Sequence, residues 1–280
     1  MTTVRGFLAQ AARPAPGFPG RCPIQEVWTL GCHILQCSLA QLLASDAAEP
    51  LHPEDEARWR ELVLRRHNGE PLAYLVGHTE FWSLPLKITP DVLVPRPETE
   101  ILVERALSQT LARGDRCIDA GTGSGAIALA LKKESPDAFV AACDRSPKAL
   151  AVARANARTL GLEVAFWAGS WLDAIEAHSC TLIAANPPYI ESADPCLDGD
   201  GLRYEPRDAL DGGTDGLTAF AALIPGAVRA LRPGGRLLVE HGYTQGPQLR
   251  MLFKQADFGD VATHNDYAGH PRVTEGIWHG

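Results

Sequence analysis

From Arg116 to the end of the chain, short apolar runs of strand length alternate with longer stretches of helical spacing. No other feature restricts the fold so much. A chain written strand, helix, strand, helix buries both faces of a sheet by laying the strands parallel and packing helices on either side. Residues 117–120, 138–143, 164–167, 181–185 and 236–240 read as strands. The stretch from Ser146-Pro147 to Leu160 reads as a helix stopped by Gly161, and further helices fall near 217–231 and 245–256. Strand-like segments near 261–264 and 273–278 close the chain. The expected architecture is an α/β, doubly wound, mostly parallel sheet.

The first third follows a different rule. Residues 1–23 are rich in Ala, Pro and Gly and read as a loose lead-in. Apolar residues recur at helical spacing from Ile24 to Ala44, which predicts one helix. Pro53-Glu54-Asp55-Glu56 opens another, with acidic residues at its positive end and Asn68-Gly69 as its stop. Residues 24–78 thus form a small helical domain. In residues 79–95 the apolar positions change period, which predicts a β-hairpin turning at Thr89-Pro90-Asp91 and linking this domain to residues 96–280.

Composition excludes several classes. Hydrophobic residues make up 45% and charged residues 21%, too apolar for a disordered chain. No apolar run approaches the ~18 residues of a membrane span, and the N-terminus shows no secretory apolar core. The net charge is −8, most of it beyond residue 90, which opposes a broad nucleic-acid surface. The 7 Cys and 9 His show no ligand spacing, so no metal site is expected, and reduced thiols fit a cytoplasmic protein.

Two turns carry chemistry. The first strand ends in Asp119 and runs through Gly121-Thr122-Gly123-Ser124-Gly125 into a helix. Glycines admit a ligand close to the backbone, and the helix start offers free N–H groups. Asp144, ending the next strand, is placed to accept ribose hydroxyls of a nucleoside. Gly121, Gly123 and Ala126 also satisfy the dinucleotide pattern. Asp119 favours S-adenosylmethionine instead, since a carboxylate there would bind an ammonium and repel a pyrophosphate. The fourth strand runs into Asn186-Pro187-Pro188-Tyr189. Two prolines stiffen this turn and remove two backbone donors, leaving the Asn186 side-chain oxygen and the Pro187 carbonyl as acceptors. Two acceptors and the Tyr189 ring suit a planar NH2 group.

Together these turns resemble the class I, Rossmann-like methyltransferases that act on planar nitrogen. Further segments are similar to the peptide chain release factor glutamine N5-methyltransferase family: residues 71–77 with Phe81, Leu93-Val-Pro-Arg-Pro-Glu-Thr-Glu100, Tyr204-Glu-Pro-Arg207, residues 209–217, Glu240-His-Gly-Tyr with Gln245, and Arg272-Val-Thr274. The resemblance implies a seven-stranded sheet and S-adenosylmethionine as cofactor, with S-adenosylhomocysteine as product. It implies the Gly-Gly-Gln glutamine of class I release factors as substrate, with no membrane and no direct nucleic acid as partner. Asn186, Pro187 and Tyr189 would be catalytic, and Pro188 would join them in holding substrate. Asp119, Gly121, Thr122, Gly123, Ser124, Gly125, Asp144, Trp171 and Asn186 would hold the cofactor. Ser170 stands where the family commonly has Asp, and Leu30, Gly31 and Cys32 stand where its first helix often has acidic residues. A ribosomal-protein glutamine methyltransferase, a nucleic-acid amino methyltransferase and a non-catalytic cofactor-binding adaptor are the rival readings.

Overall fold

The computed structural model describes residues 2–11, 22–44, 50–199 and 201–280. The chain divides into two compact units: Met1–Gly77 with Gly199–Tyr204, and His78–Asp198 with Glu205–Gly280.

Among the described residues the first unit holds five α-helices: α1 Val4–Ala11, α2 Ile24–Leu35, α3 Leu39–Ala44, α4 Pro53–His67 and α5 Leu72–Val76. The expected loose lead-in is corrected here. Val4, Phe7 and Leu8 fall on one helical face, Thr3 accepts the Gly6 N–H, and Phe7 stacks on Trp59 at 4.3 Å between centroids. Residues 12–21 of that lead-in lie outside the described residues. The single helix expected over 24–44 is two. Gln36 adopts a left-handed φ of 50°, and Ser38 and Gln41 bond reciprocally to each other's backbone N–H to start α3. Apolar periodicity runs through that break without marking it. Trp59 is wholly buried, donates its indole N–H to the Val27 carbonyl at 3.0 Å, and lies against Gly31. Any side chain at position 31 would enter that ring, a physical reason for the departure at Gly31.

The second unit begins with the hairpin β1 His78–Phe81 and β2 Leu84–Lys87. Its turn is Trp82-Ser83, with φ of 52° and 53°, not Thr89-Pro90-Asp91. Two central residues with positive φ match the twist of paired strands, so the tight turn forms without Gly or Asn. Glu100 holds it by accepting the Trp82 N–H at 2.7 Å. Val92 and Val94 are buried but outside any strand, and the Val94 N–H goes to the Glu205 carboxylate at 2.9 Å.

There follow α6 Thr99–Ala106, β3 Arg116–Ala120, α7 Ala126–Glu134, β4 Phe139–Asp144, α8 Pro147–Leu160, β5 Ala165–Ala168, β6 Cys180–Ala185, α9 Thr218–Ala230, β7 Leu231–Glu240, α10 Gly246–Gln255, β8 Phe258–Asn265 and β9 Pro271–Trp278. The seven-stranded sheet has the order β5-β4-β3-β6-β7-β9-β8. The first five strands are parallel; β9 runs antiparallel to β7, and β8 to β9. Small residues such as Ala120, Ala141 and Ala185 face Phe220, Leu223 and Phe253, which lets the helices close on the sheet. The chain moves outward from β3 to one edge and then restarts at β6 on the other side. Ligands bind at such a reversal, outside the carboxyl ends of the strands. Both candidate turns leave the sheet there.

Candidate active site

A cavity of about 950 Å³ opens between the ends of β3 and β6. Gly121, Thr122, Gly123, Ser124, Asp144, Trp171, Asn186 and Pro188, all expected at the site, line it. Asp119, Gly125, Pro187 and Tyr189, also expected there, are not among its lining residues.

The glycine loop is held from both ends. The Gly121 and Thr122 N–H groups both donate to the Cys143 carbonyl at 2.9 Å, tying the loop to β4. The Asp144 carboxylate accepts from the Gly123 N–H at 2.9 Å and from the Ser146 N–H at 2.8 Å. Each carboxylate oxygen keeps a further acceptor site, and Asp144 lines the cavity, so it is placed to accept from ribose hydroxyls. Gly125 has φ 89° and starts α7 against Ala153. The Trp171 ring lies over Gly121, and Ser170 beside it also lines the cavity.

Asp119 is wholly buried and does not line the cavity, contrary to direct contact with a ligand's ammonium. One oxygen accepts from the Thr122 hydroxyl at 2.6 Å and the Ala128 N–H at 3.1 Å; the other has no hydrogen-bond partner among the described residues. Burial pushes its pKa up to about 7 against those two bonds.

The proline turn is held differently. The Asn186 carboxamide nitrogen donates to the Thr99 hydroxyl at 3.2 Å, which frees its oxygen. The Tyr189 hydroxyl donates to Glu240 at 3.5 Å, and the Tyr189 carbonyl accepts from Gln245 at 3.1 Å. Burial raises the Tyr189 phenol well above its ordinary value, so it is a donor at neutral pH. Gly212 packs on the backbone of Pro188 and Tyr189, where a Cβ would come within 2.8 Å. Gly212 and Gly216 therefore serve close approach to this turn.

Several residues escape sequence reasoning. Thr99 orients Asn186 from α6 and lines the cavity. Glu205 pairs with Arg96, while Arg207 reaches Asp198 and Asp211. The Arg-Pro-Glu-Thr-Glu segment is thus a brace, with Arg96 on Glu205, Thr99 on Asn186 and Glu100 on the hairpin turn.

The fold and this cavity define a class I methyltransferase. Residues 97–196 match the methyltransferase small domain family, and residues 22–77 match the PrmC N-terminal domain family. A solved methyltransferase from Pyrococcus furiosus superposes with a TM-score of 0.54 at 17% identity, covering 79% of this chain and 98% of that one. The release factor glutamine methyltransferase of Bordetella pertussis is 44% identical over 278 residues, 99% of each chain. That of Vibrio cholerae is 41% identical over 276 residues, 98% of this chain and 96% of its own. The chain belongs to the release factor glutamine methyltransferase family.

Proposed function

We propose that this protein transfers a methyl group from S-adenosylmethionine to the side-chain amide nitrogen of the Gly-Gly-Gln glutamine in class I peptide chain release factors. The observation carrying this reading is the Asn186 carboxamide, held by Thr99 with its oxygen free, in one cavity with the glycine loop. Full-length relatives of that name, at 41–44% identity, support it.

The residues present fit the cofactor. Asp144 would take the ribose, Trp171 would cover the base, and the glycine loop would give the close backbone approach. Asp119 would act by keeping the loop in shape. Bound there, the cofactor supplies an electrophilic methyl group. The chain's own residues must hold an amide nitrogen, a poor nucleophile because its lone pair is shared with the carbonyl. The Asn186 oxygen and the Pro187 carbonyl would accept its two N–H bonds and stabilise the positive charge growing on nitrogen. Pro188 would bound the slot, and Tyr189, held by Glu240, would back the turn. No general base is required, since the proton leaves after transfer. Holding two reactants in line supplies roughly 7–11 kcal/mol of barrier reduction.

The test is mass spectrometry of a class I release factor incubated with the protein and S-adenosylmethionine. A single methyl on the Gly-Gly-Gln glutamine is the expected result. An unmodified release factor alongside a methylated ribosomal protein or nucleic acid overturns it.

A further inference from the structure

The proline turn rests on a buried acid that the methyl-transfer chemistry does not call for. Glu240 ends β7 and is 1% exposed. The register pairs Ala185 with Val239, so Asn186 and Glu240 leave neighbouring strands side by side. Glu240 meets both ends of the turn. The Tyr189 hydroxyl donates to one oxygen at 3.5 Å, and the Thr99 hydroxyl that carries Asn186 lies beside the carboxylate. The second oxygen has no hydrogen-bond partner among the described residues.

We infer that Glu240 is a positioning residue: through Thr99, its ionised carboxylate decides which end of the Asn186 carboxamide faces the substrate amide. This deepens the proposed reaction and rests on it. Hydrogen-bond polarity sets the choice. A hydroxyl has one proton. When Thr99 accepts from the Asn186 NH2, its own proton must point elsewhere, and the neighbouring acceptor is Glu240. An ionised carboxylate takes that proton. The chain then runs Asn186 to Thr99 to Glu240, and the Asn186 oxygen is left for the cavity. A protonated Glu240 donates to Thr99 instead. The Thr99 proton then faces Asn186, whose carboxamide must turn its oxygen inward and present NH2 to the cavity. Two NH2 groups face each other, and the substrate amide loses an acceptor.

The groups around Glu240 set the pH at which this happens. Burial pushes its pKa up to about 7; the Thr99 hydroxyl, Arg272 from β9 and the Tyr189 hydroxyl pull it down, and Glu98 ahead of α6 pushes it up. His241, next on the strand, is buried and held neutral, with Nε2 on the Thr274 hydroxyl. Arg272 is itself held by Asp266 at 3.1 Å.

The experiment is single-turnover methyl transfer to the intact release factor from pH 6 to 8, for wild type, Glu240→Gln, Thr99→Val and the double variant. Wild-type turnover should rise about tenfold across a midpoint near 7. Each single variant should be about tenfold slower at pH 8 and flat with pH, with the KM for release factor within about twofold of wild type. The double variant should be no slower than the slower single one, because the residues act through one chain. A carboxylic C=O infrared band that titrates near pH 7 in wild type and is missing from Glu240→Gln reads the protonation without reference to activity. A midpoint that persists in Glu240→Gln belongs to another group, such as Asp119, and overturns the inference, as do losses that multiply in the double variant. If Glu240→Gln does not fold, Thr99→Val alone decides by whether its rate still titrates. Absence of methyl transfer by the wild type at every pH sinks the proposed function instead, and the infrared titration still reports on Glu240.

Discussion

The two walls of the cavity solve one problem with opposite means. Each holds a turn rigid, and each has a buried acid raised to about 7 behind it, Asp119 for the glycine loop and Glu240 for the proline turn. In the glycine loop the bonds are local: Asp119 reaches Thr122 and Ala128, and Asp144 reaches Gly123 and Ser146. In the proline turn two backbone donors are missing, so the fixing groups come from Thr99, Gln245 and Glu240, far away in sequence. A wall rich in N–H groups suits the anionic and hydroxyl-bearing parts of a ligand. A wall stripped of them suits an amide that must itself donate.

Substitutions on either wall test this division of labour. The largest effect should follow Asn186→Ala. Removing one preorganised acceptor from the developing charge should lower turnover by about 10²–10³-fold. Cofactor affinity should barely move, because the other wall is intact. A wild-type single-turnover rate would make the turn a purely structural element. On the opposite wall, Asp144→Ala should weaken S-adenosylhomocysteine by about 1–3 kcal/mol, as expected for a charged acceptor lost from hydroxyl donors. At saturating cofactor its turnover should stay near wild type. Calorimetry with unchanged affinity would remove the ribose from Asp144.

Gly125→Ala should act on stability before function. The residue has φ 89°, and a Cβ would meet Leu129 at 3.1 Å and Ala153 at 3.2 Å. A cost of roughly 1–2 kcal/mol follows from the left-handed backbone alone, and thermal melting reads it. An unchanged melting temperature would mean the loop is less constrained than its hydrogen bonds require.

The smallest effect concerns pH and stability. Both acids have folded pKa values near 7, above the ordinary 3.8 of Asp and 4.5 of Glu. The folded state therefore holds their protons more tightly than the unfolded one. Their contribution is fully present below those ordinary values and is lost as pH rises through about 7. The unliganded protein should melt a few degrees lower at pH 8 than at pH 5. Asp119→Asn and Glu240→Gln should each remove part of that drop. If one removes it all, only that wall buries a costly charge.

The local wall was the legible one. Strand, Asp119, glycine loop, helix and Asp144 lie within a few dozen residues, so turn chemistry and spacing reveal them. The Asn-Pro-Pro-Tyr turn was legible for the same reason. Its support was not, because Thr99 and Glu240 are ordinary residues until the sheet register and α6 bring them to Asn186. The alternation of elements also gave the parallel sheet without its exact edges. Apolar periodicity failed where backbone conformation decides: at Gln36, where a left-handed residue splits a helix, and at Trp82-Ser83, where the hairpin turns. It failed at Val4 and Phe7 because Ala, Pro and Gly diluted a real helical face.

One junction in the helical unit has a consequence for synthesis. The carbonyl of Asn68, at the end of α4, accepts from Arg203 and from the Tyr204 hydroxyl, the latter at 3.1 Å, and Arg203 lies 135 residues further along the chain. On a translating ribosome, α1 to α5 emerge long before those partners do. The first unit must wait, with that helix end hydrated, through the production of β3, β4, β5 and β6. Its final hydrogen bonds close only after the Asn-Pro-Pro-Tyr segment has been made, so the amino-terminal unit is begun first and finished late.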